Sequence, residues 1–157
     1  MRITAKTDYA IRACAELAAA DQDTWINAES IATAQDIPLN YLLAILATLR
    51  TRGIVDSRRG VEGGYRLARP AYAIAVADVI RAVDGPLANV AGSRVEDVSY
   101  PGAAETLRDT WVALRASMRE VAEKVTIEAI VTHKLPPHVR ALIAPDESWV
   151  TRPEAER

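Results

Sequence analysis

Residues 38–67 read PLNYLLAILATLRTRGIVDSRRGVEGGYRL, and this stretch decides the fold of the chain. Its first half predicts a helix, because four leucines recur at every third or fourth position and share one face: Leu39, Leu42, Leu46 and Leu49. Pro38 suits the first turn of such a helix, where its missing N–H is not needed. Gly53, which follows two arginines closely, predicts where the helix ends.

The second half of this stretch predicts a β-hairpin. Two short strand-like runs, Ile54-Val55 and Tyr65-Arg66-Leu67, flank the glycine-rich segment 58–64. Glycines permit the positive φ angles that a tight hairpin turn needs, and two arginines stand at this turn. The apolar pair Trp25-Ile26 predicts a further small strand beside the hairpin. A helix, a glycine stop and an arginine-tipped hairpin are typical of a winged helix-turn-helix domain.

The residues before this stretch predict two helices. The first spans residues 4–20, is capped by Thr4 or Thr7, and has an apolar face made of Ala10, Cys14, Leu17 and Ala18. The second spans residues 28–34, with Asn27 as its cap. A short turn joins it to the leucine-rich helix, and the pair forms a helix-turn-helix unit whose second helix enters the major groove.

The residues after the hairpin predict a second, mostly helical region. Residues 74–83 resume a helical pattern, residues 87–102 form a loop, and residues 103–125 form a long helix. Apolar residues in this long helix follow the heptad spacing of a coiled coil: Leu107, Trp111, Leu114, Met118, Val121 and Val125. This seam predicts pairing with a second copy of the chain. The alternative is a helix that lies on its own domain.

These patterns predict a mostly α fold, and 157 residues with 50% apolar content suffice for a real core. A winged helix-turn-helix domain with a two-stranded wing occupies residues 1–86, and a loop occupies residues 87–102. A dimerisation helix and short helices follow at residues 103–144, and a polar tail at residues 145–157. We therefore expect one DNA-binding domain with an appended helical element.

The charge distribution says more than the net charge of −2. Residues 50–69 contain six arginines against two acidic residues, a balance of +4. Residues 71–157 contain ten basic and thirteen acidic residues, a balance of −3. A basic patch on a mildly acidic body favours a DNA-binding face. The alternative is a solvated arginine-rich surface.

Cysteine usage and hydropathy limit the classes of protein that remain. Cys14 is the only cysteine, which excludes an intrachain disulfide and a metal–thiolate cage. Because it lies in a helical pattern, we interpret it as a small core residue. The chain shows no apolar signal segment, and its longest apolar run, residues 41–47, is too short to span a bilayer. We therefore expect a soluble cytoplasmic protein with no membrane partner.

The sequence offers no catalytic arrangement, so we predict that the chain is not an enzyme. Gly60, Gly63 and Gly64 are not followed by Gly-Lys-Ser/Thr or directly by a helix, which argues against a phosphate loop. His133 and His138 lie on either side of a Pro-Pro break without a nearby carboxylate or cysteine, so solvated histidines are favoured over a metal site.

The leucine-rich helix and the hairpin tip carry the residues that suit DNA. Asn40 can read adenine, and Tyr41 can hold a phosphate. The alternatives are that Asn40 only caps the helix and that Tyr41 packs. Ala44 and Thr48 share the expected outer face. The arginines of the hairpin tip can reach phosphates or enter the minor groove, where narrow A·T tracts concentrate negative potential.

Several motifs in a fixed order resemble the Rrf-two family of bacterial winged-helix transcription regulators. They read KTDYA at residues 6–10, IPLNYL at 37–42, LRTRGIV at 49–55, RGVEGGYRLAR at 59–69 and DVIRAVDGP at 78–86. The resemblance implies a homodimer that binds a palindromic operator, with the long helix crossing between the subunits. The residues then predicted to contact DNA are Lys6, Leu39, Asn40, Tyr41, Leu43, Ala44, Thr48, Arg50, Arg58, Arg59, Gly60 and Glu62.

The chain departs from this family at two places. Many members bind an iron–sulfur cluster through three cysteines in the loop before the long helix, and residues 87–104 contain none. Members commonly have Glu where this chain has Leu43, which offers DNA only an apolar contact, for example to a thymine methyl. We therefore predict a chain without a cofactor and with an operator of its own.

We interpret the sequence as a homodimeric DNA-binding transcriptional regulator that acts as a repressor on double-stranded DNA without a cofactor. A small-molecule effector or a partner protein would supply its signal. Two alternatives stay open: a protein-interaction module that has lost DNA binding, and a small-molecule sensor with its pocket between the two regions.

Overall fold

The computed structural model describes residues 3–21 and 23–150, and it is mostly helical with one two-stranded antiparallel sheet. The helices are α1 (Ala5–Ala19), α2 (Ala28–Gln35), α3 (Leu39–Thr51), α4 (Val76–Val83), α5 (Leu107–Ala122), α6 (Ile127–Val131) and α7 (Pro137–Ile143). The strands are β1 (Val55–Arg58) and β2 (Gly64–Leu67). Short 3-10 turns lie at Ala71–Ala73, Gly102–Ala104 and Asp146–Trp149. The predicted winged-helix fold is confirmed.

Two predicted helix caps are confirmed. The Thr7 N–H donates to the hydroxyl of Thr4 at 3.1 Å, which makes Thr4 the cap of α1. The Ser30 N–H donates to the side-chain amide oxygen (Oδ1) of Asn27 at 2.7 Å, at the start of α2. Each cap satisfies a backbone donor that has no partner inside its helix.

The core forms where α1, α2 and α3 meet. The buried stripe of α3 consists of Leu42, Ile45, Leu46 and Leu49, while Leu39 at the start of the helix is only partly buried. Ile45 belongs to this stripe because a helix repeats its faces at both three and four positions. Cys14 lies fully buried among these side chains. Gly53 follows α3 with a φ of +68°, the left-handed conformation that ends many helices.

A third segment joins the hairpin beside β2. Strand β1 pairs with β2 in the register Val55↔Leu67 to Arg58↔Gly64. Ile26 and Tyr65 then exchange two backbone hydrogen bonds of 2.9 and 2.8 Å, as the apolar pair at residues 25–26 predicts. Gly64 has a φ of +146°, and a Cβ at this position would lie 2.4 Å from the Ile26 carbonyl oxygen. The close approach of this segment therefore requires glycine.

The end of α4 is fastened to the start of α1. The Asp84 carboxylate accepts hydrogen bonds from the hydroxyls of Thr4, at 2.6 Å, and Thr7, at 2.5 Å. These bonds lower the pKa of Asp84, and the charge of Lys6 adds to the effect. The Lys6 ammonium also donates to the Val83 carbonyl at 2.8 Å, at the negative end of α4.

The chain beyond α5 returns to the first domain. The Val76 N–H donates to the Val125 carbonyl, and the Ile127 N–H donates to the Ile74 carbonyl, both at 2.9 Å. Ile127 is fully buried in the same core as α1 and α3. The residues after α5 therefore take part in the packing of the winged helix-turn-helix.

The predicted long helix at residues 103–125 is wrong at both ends. Gly102 has a φ of +56° and opens a 3-10 turn, so α5 begins at Leu107, where the heptad seam also begins. At the other end Val125 lies outside α5 and is buried against its own chain. Every residue of α5 is described, and none is fully buried. None of the described helices is long and apolar enough to cross a membrane.

Candidate nucleic-acid interface

The outer face of α3 presents an exposed row of side chains. Asn40, Leu43 and Ala44 are exposed, as predicted for the face opposite the buried stripe. Pro38 occupies the cap position, and no side chain caps α3. The alternative in which Asn40 only caps the helix is therefore wrong. Ala47 and Thr51 continue the exposed row one and two turns further on, and the sequence prediction missed them.

Tyr41 and Thr48 make contacts with other residues of the same chain. The Tyr41 ring packs edge-on against Tyr9, with ring centres 5.7 Å apart, while 44% of the residue stays exposed. The Thr48 hydroxyl donates to the Ala44 carbonyl at 3.0 Å and is partly buried. The packing role of Tyr41 is thus confirmed, and its phosphate contact stays a prediction.

A hydrogen bond joins the end of α3 to the wing. The Arg50 guanidinium donates to the Ser57 hydroxyl of β1 at 3.2 Å. Both residues are exposed, so this contact lies on the surface. It lies where the end of α3 meets the wing, a junction whose position is set by the buried Leu49, Ile54 and Val55. An interface that reads one groove and grips the neighbouring backbone requires this placement.

The two arginines of the wing tip have different surroundings. The Arg58 guanidinium lies 5.1 Å from the centre of the Trp25 ring and donates to the Glu62 carbonyl. Arg66 stacks on the same ring at 4.6 Å and lies 3.8 Å from the Asp56 carboxylate. Arg59 is exposed and makes no hydrogen bond or ion pair within residues 3–21 and 23–150. Arg59 is therefore the wing arginine that is free to meet a phosphate.

The turn between the strands is tightly built. Gly60 has a φ of +108°, and its carbonyl accepts the Gly63 N–H at 2.9 Å. A Cβ at Gly63 would lie 2.2 Å from the Arg58 carbonyl oxygen. Glu62 is exposed at this turn, beside the arginines. The glycines thus fix the shape of the tip, and the charged side chains project from it.

Two predicted contact residues lie apart from this exposed surface. Lys6 is partly buried, with its ammonium on the Val83 carbonyl at the end of α4. Leu39 is partly buried and packs against the core. The stacking of two arginines on Trp25 was not predicted. The sequence does contain one signal for this contact. Successive side chains of a strand point to opposite faces, so Arg66 of β2 lies on the face opposite its neighbours Tyr65 and Leu67.

The described residues do not fit an iron–sulfur cluster or another protein-bound metal. Within residues 3–21 and 23–150 no three His, Cys, Asp or Glu side chains stand where they could hold a metal ion together. Cys14 is fully buried, and burial raises the pKa of its thiol to about 12. The loop before α5 contains neither cysteine nor histidine. Soft anionic ligands are what such clusters need.

Comparison with known proteins identifies the family. A model of the Rrf2 family, described as "Iron-dependent Transcriptional regulator", matches residues 3–133. Rv1287 of Mycobacterium tuberculosis, named as an HTH-type transcriptional regulator, is 47% identical over 142 residues, which is 90% of this chain and 88% of that protein. CymR of Bacillus subtilis, also named as an HTH-type transcriptional regulator, is 29% identical over 133 residues, 85% of this chain and 91% of CymR.

Solved structures agree with these sequence relatives. The structure of CymR, the global cysteine regulator of B. subtilis, superposes with a TM-score of 0.72 at 28% identity and covers 85% of this chain and 98% of CymR. IscR of T. potens superposes with a TM-score of 0.68 at 25% identity, over 96% of this chain and 97% of IscR. These relatives are transcription regulators rather than enzymes. The chain belongs to the Rrf2 family of winged helix-turn-helix transcriptional regulators.

Proposed function

We propose that the chain acts as a homodimeric repressor that binds a palindromic operator through α3 and the wing. The observation that carries this proposal is the contact between Arg50 and Ser57, which joins the end of α3, with its exposed outer face, to the arginine-bearing wing. One copy then reads the major groove of a half-site and grips the adjacent phosphates. Two copies related by a two-fold axis require two inverted half-sites.

The heptad seam of α5 supports the homodimer. Leu107, Trp111, Met118 and Val121 are only partly buried, and Leu114 is 45% exposed, so an apolar face stays open along the helix. A seam with this repeat packs against a helix of the same kind. We therefore propose a second copy of α5 as its partner.

The size of such a dimer on DNA supports repression. A protein that covers two half-sites excludes other proteins from the same stretch of the duplex. We accordingly propose that the regulator lowers transcription of its targets and works in the cytoplasm, where bacterial DNA lies. Deletion of the gene should raise expression of a reporter placed behind its operator, and a fall would indicate activation.

Selection of bound fragments from the source genome tests DNA recognition. The purified full chain is mixed with sheared genomic DNA, and retained fragments are sequenced. We expect enrichment of a few sites that share an inverted repeat. Absence of any enriched site, with an intact fold, would favour the alternative of a protein-interaction module.

We also propose that DNA binding needs no iron–sulfur cluster, because the described residues offer no suitable ligand set. Anaerobic purification followed by an absorbance spectrum and iron analysis tests this. We expect operator binding without iron. Near-stoichiometric iron and sulfide, lost in Cys14→Ala, would overturn this part of the proposal.

A further inference from the structure

An arginine-lined cleft lies between α4, the following loop and α5. Its volume is about 650 Å³, within the range of small-molecule sites. Four guanidinium groups line it, contributed by Arg81 of α4, Arg94 of the loop, and Arg115 and Arg119 of α5. Arginines from three parts of the chain therefore converge on one space, far along the chain from the wing.

The carboxylates near this cleft do not balance its positive charge. Glu96 pairs with Arg94, at 3.0 Å, and with Arg115. Glu123 pairs with Arg119, at 3.0 Å, and with Arg81. Two carboxylates thus serve four guanidinium groups, which leaves two positive charges in excess.

A third carboxylate does not remove this excess. Asp78 lies 4.0 Å from Arg81 but also 3.5 Å from a fifth arginine, Arg69, on the other side. Arginine stays charged at any physiological pH, so the excess persists. The cleft therefore has the charge to hold a ligand with two negative charges.

The other walls of the cleft favour an organic ligand over a bare ion. Asn89 and Ser93 add uncharged polar groups, while Pro86, Leu87 and Ala88 add an apolar wall. Guanidinium groups match the paired oxygens of carboxylates and phosphates with two parallel hydrogen bonds. We propose that this cleft binds a small organic dianion, a phosphate monoester or a dicarboxylate, as the effector of the regulator. Its role as an effector site rests on the proposed function.

The position of Arg81 connects the cleft to the domain that carries α3 and the wing, because α4 packs into the same core as α3. Arg81 belongs to α4, which ends at Asp84, the residue that accepts hydrogen bonds from Thr4 and Thr7 at the start of α1. Its partner Glu123 follows α5 directly as the C-terminal cap residue of that helix. A dianion that takes Arg81 and Arg119 from Glu123 would alter how α4 is held against α5. Effector and operator then influence each other's affinity by the same factor.

Isothermal titration calorimetry of the full chain tests the cleft, with inorganic phosphate, succinate and acetate as probes at constant ionic strength. We expect phosphate or succinate to bind at least about tenfold more tightly than acetate, because only a dianion uses the full charge excess. Whichever of these two probes binds more tightly indicates whether the natural ligand is a phosphate monoester or a dicarboxylate. If neither dianion binds more tightly than acetate, the proposal is overturned.

Three variants make the test specific. The double variant Arg115→Gln, Arg119→Gln should lower the affinity for the dianion about tenfold or more, since charged hydrogen bonds are lost. Glu96→Gln should raise it, because a competing carboxylate is removed. Arg108→Gln is the matched control, since Arg108 lies on α5 outside the cleft. Equal affinities in wild type and the Glu96→Gln variant would contradict the site even if the double variant failed to fold.

Gel shifts with the selected operator separate this inference from the proposed function. A dianion that binds the cleft should change operator affinity in wild type and not in the double variant. Operator binding that the dianion leaves unchanged would overturn the effector role. A failure of the proposed function gives a different result, because the chain free of added anion would then shift no operator.

Discussion

Asn40 lies exposed in the first turn of α3, where Pro38 occupies the cap position. Its amide is therefore available for a base edge, and a bidentate contact to adenine is the chemistry that suits it. We predict that Asn40→Ala costs about 1–3 kcal/mol of binding free energy at one A·T pair of the operator. Competition between operator variants, each changed at one base pair, measures this cost.

Ser99→Ala serves as the control for Asn40, since Ser99 is exposed and lies outside both the proposed interface and the arginine-lined cleft. It should leave every operator variant bound as tightly as wild type binds it. An equal loss on all sequences in Asn40→Ala would assign the residue to the DNA backbone instead.

Local signals at single residues could be predicted from the sequence, and distant contacts could not. Asn27 was identified as a cap, and Thr4 as one of two candidates with Thr7, because a cap depends on the three residues that follow it. The engagement of Arg58 with Trp25 depends on the bridge between Ile26 and β2, which brings together distant parts of the chain. The hydrogen bond from Lys6 to the Val83 carbonyl at the end of α4 likewise joins residues that are far apart in the chain.

At the scale of elements, the wing was predicted because its glycines and its strand-like runs lie side by side in the sequence. The start of α5 was not predicted, because residues 103–106 are compatible with a helix and Gly102 alone stands there as a helix breaker. The heptad seam itself marked the true start at Leu107. The burial of Val125 follows from a pairing with Val76 that no local pattern encodes.

The different surroundings of the wing arginines lead to a prediction about salt. Arg59 makes no hydrogen bond or ion pair with the described residues, whereas Arg58 stacks on Trp25 and donates to the Glu62 carbonyl. The double variant Arg58→Ala, Arg59→Ala should weaken operator binding and reduce the slope of log affinity against log salt by about 0.9 for each lost phosphate contact. Fluorescence anisotropy across a salt series measures both quantities.

Arg59→Ala alone should lower the slope without changing the melting temperature, because the exposed Arg59 side chain makes no hydrogen bond or ion pair within the described residues. Arg108→Ala, on α5, provides the matched loss of one surface charge. An unchanged affinity and slope in the folded double variant would remove the wing from the interface.

At the scale of the whole molecule, the heptad seam of α5 is the proposed dimer interface. We predict that Leu114→Asp dissociates the dimer, because pairing of two copies would bury an uncompensated carboxylate on each. Ala116→Asp, on the exposed face of the same helix opposite the seam, should leave the dimer intact. Light scattering coupled to size exclusion gives both masses. A wild type that is monomeric at micromolar concentration would contradict the seam.

The division of the chain into two regions could be predicted from the sequence, but the contacts that join these regions could not. The sequence separates a DNA-binding domain from a helical addition, and each part has its own periodic pattern. The structure joins them through backbone pairing of residues 74–76 with 125–127 and through Ile127 in the shared core. Backbone pairing of this kind leaves no residue pattern, so the sequence could not indicate it.

The Asp84 carboxylate joins the two ends of the domain through its hydrogen bonds with Thr4 and Thr7. The contribution of these bonds to the stability of the fold depends on pH. The hydroxyls lower the pKa of the folded carboxyl below its ordinary value of 3.8, so the unfolded chain binds more protons in acid. The stabilisation is fully present above that ordinary value and is lost as the pH falls through the folded pKa. We predict that Asp84→Asn lowers the melting temperature at neutral pH and flattens its decline in acid, which thermal melts across pH would measure. A parallel decline in both proteins would show that this carboxylate takes up no extra proton on unfolding.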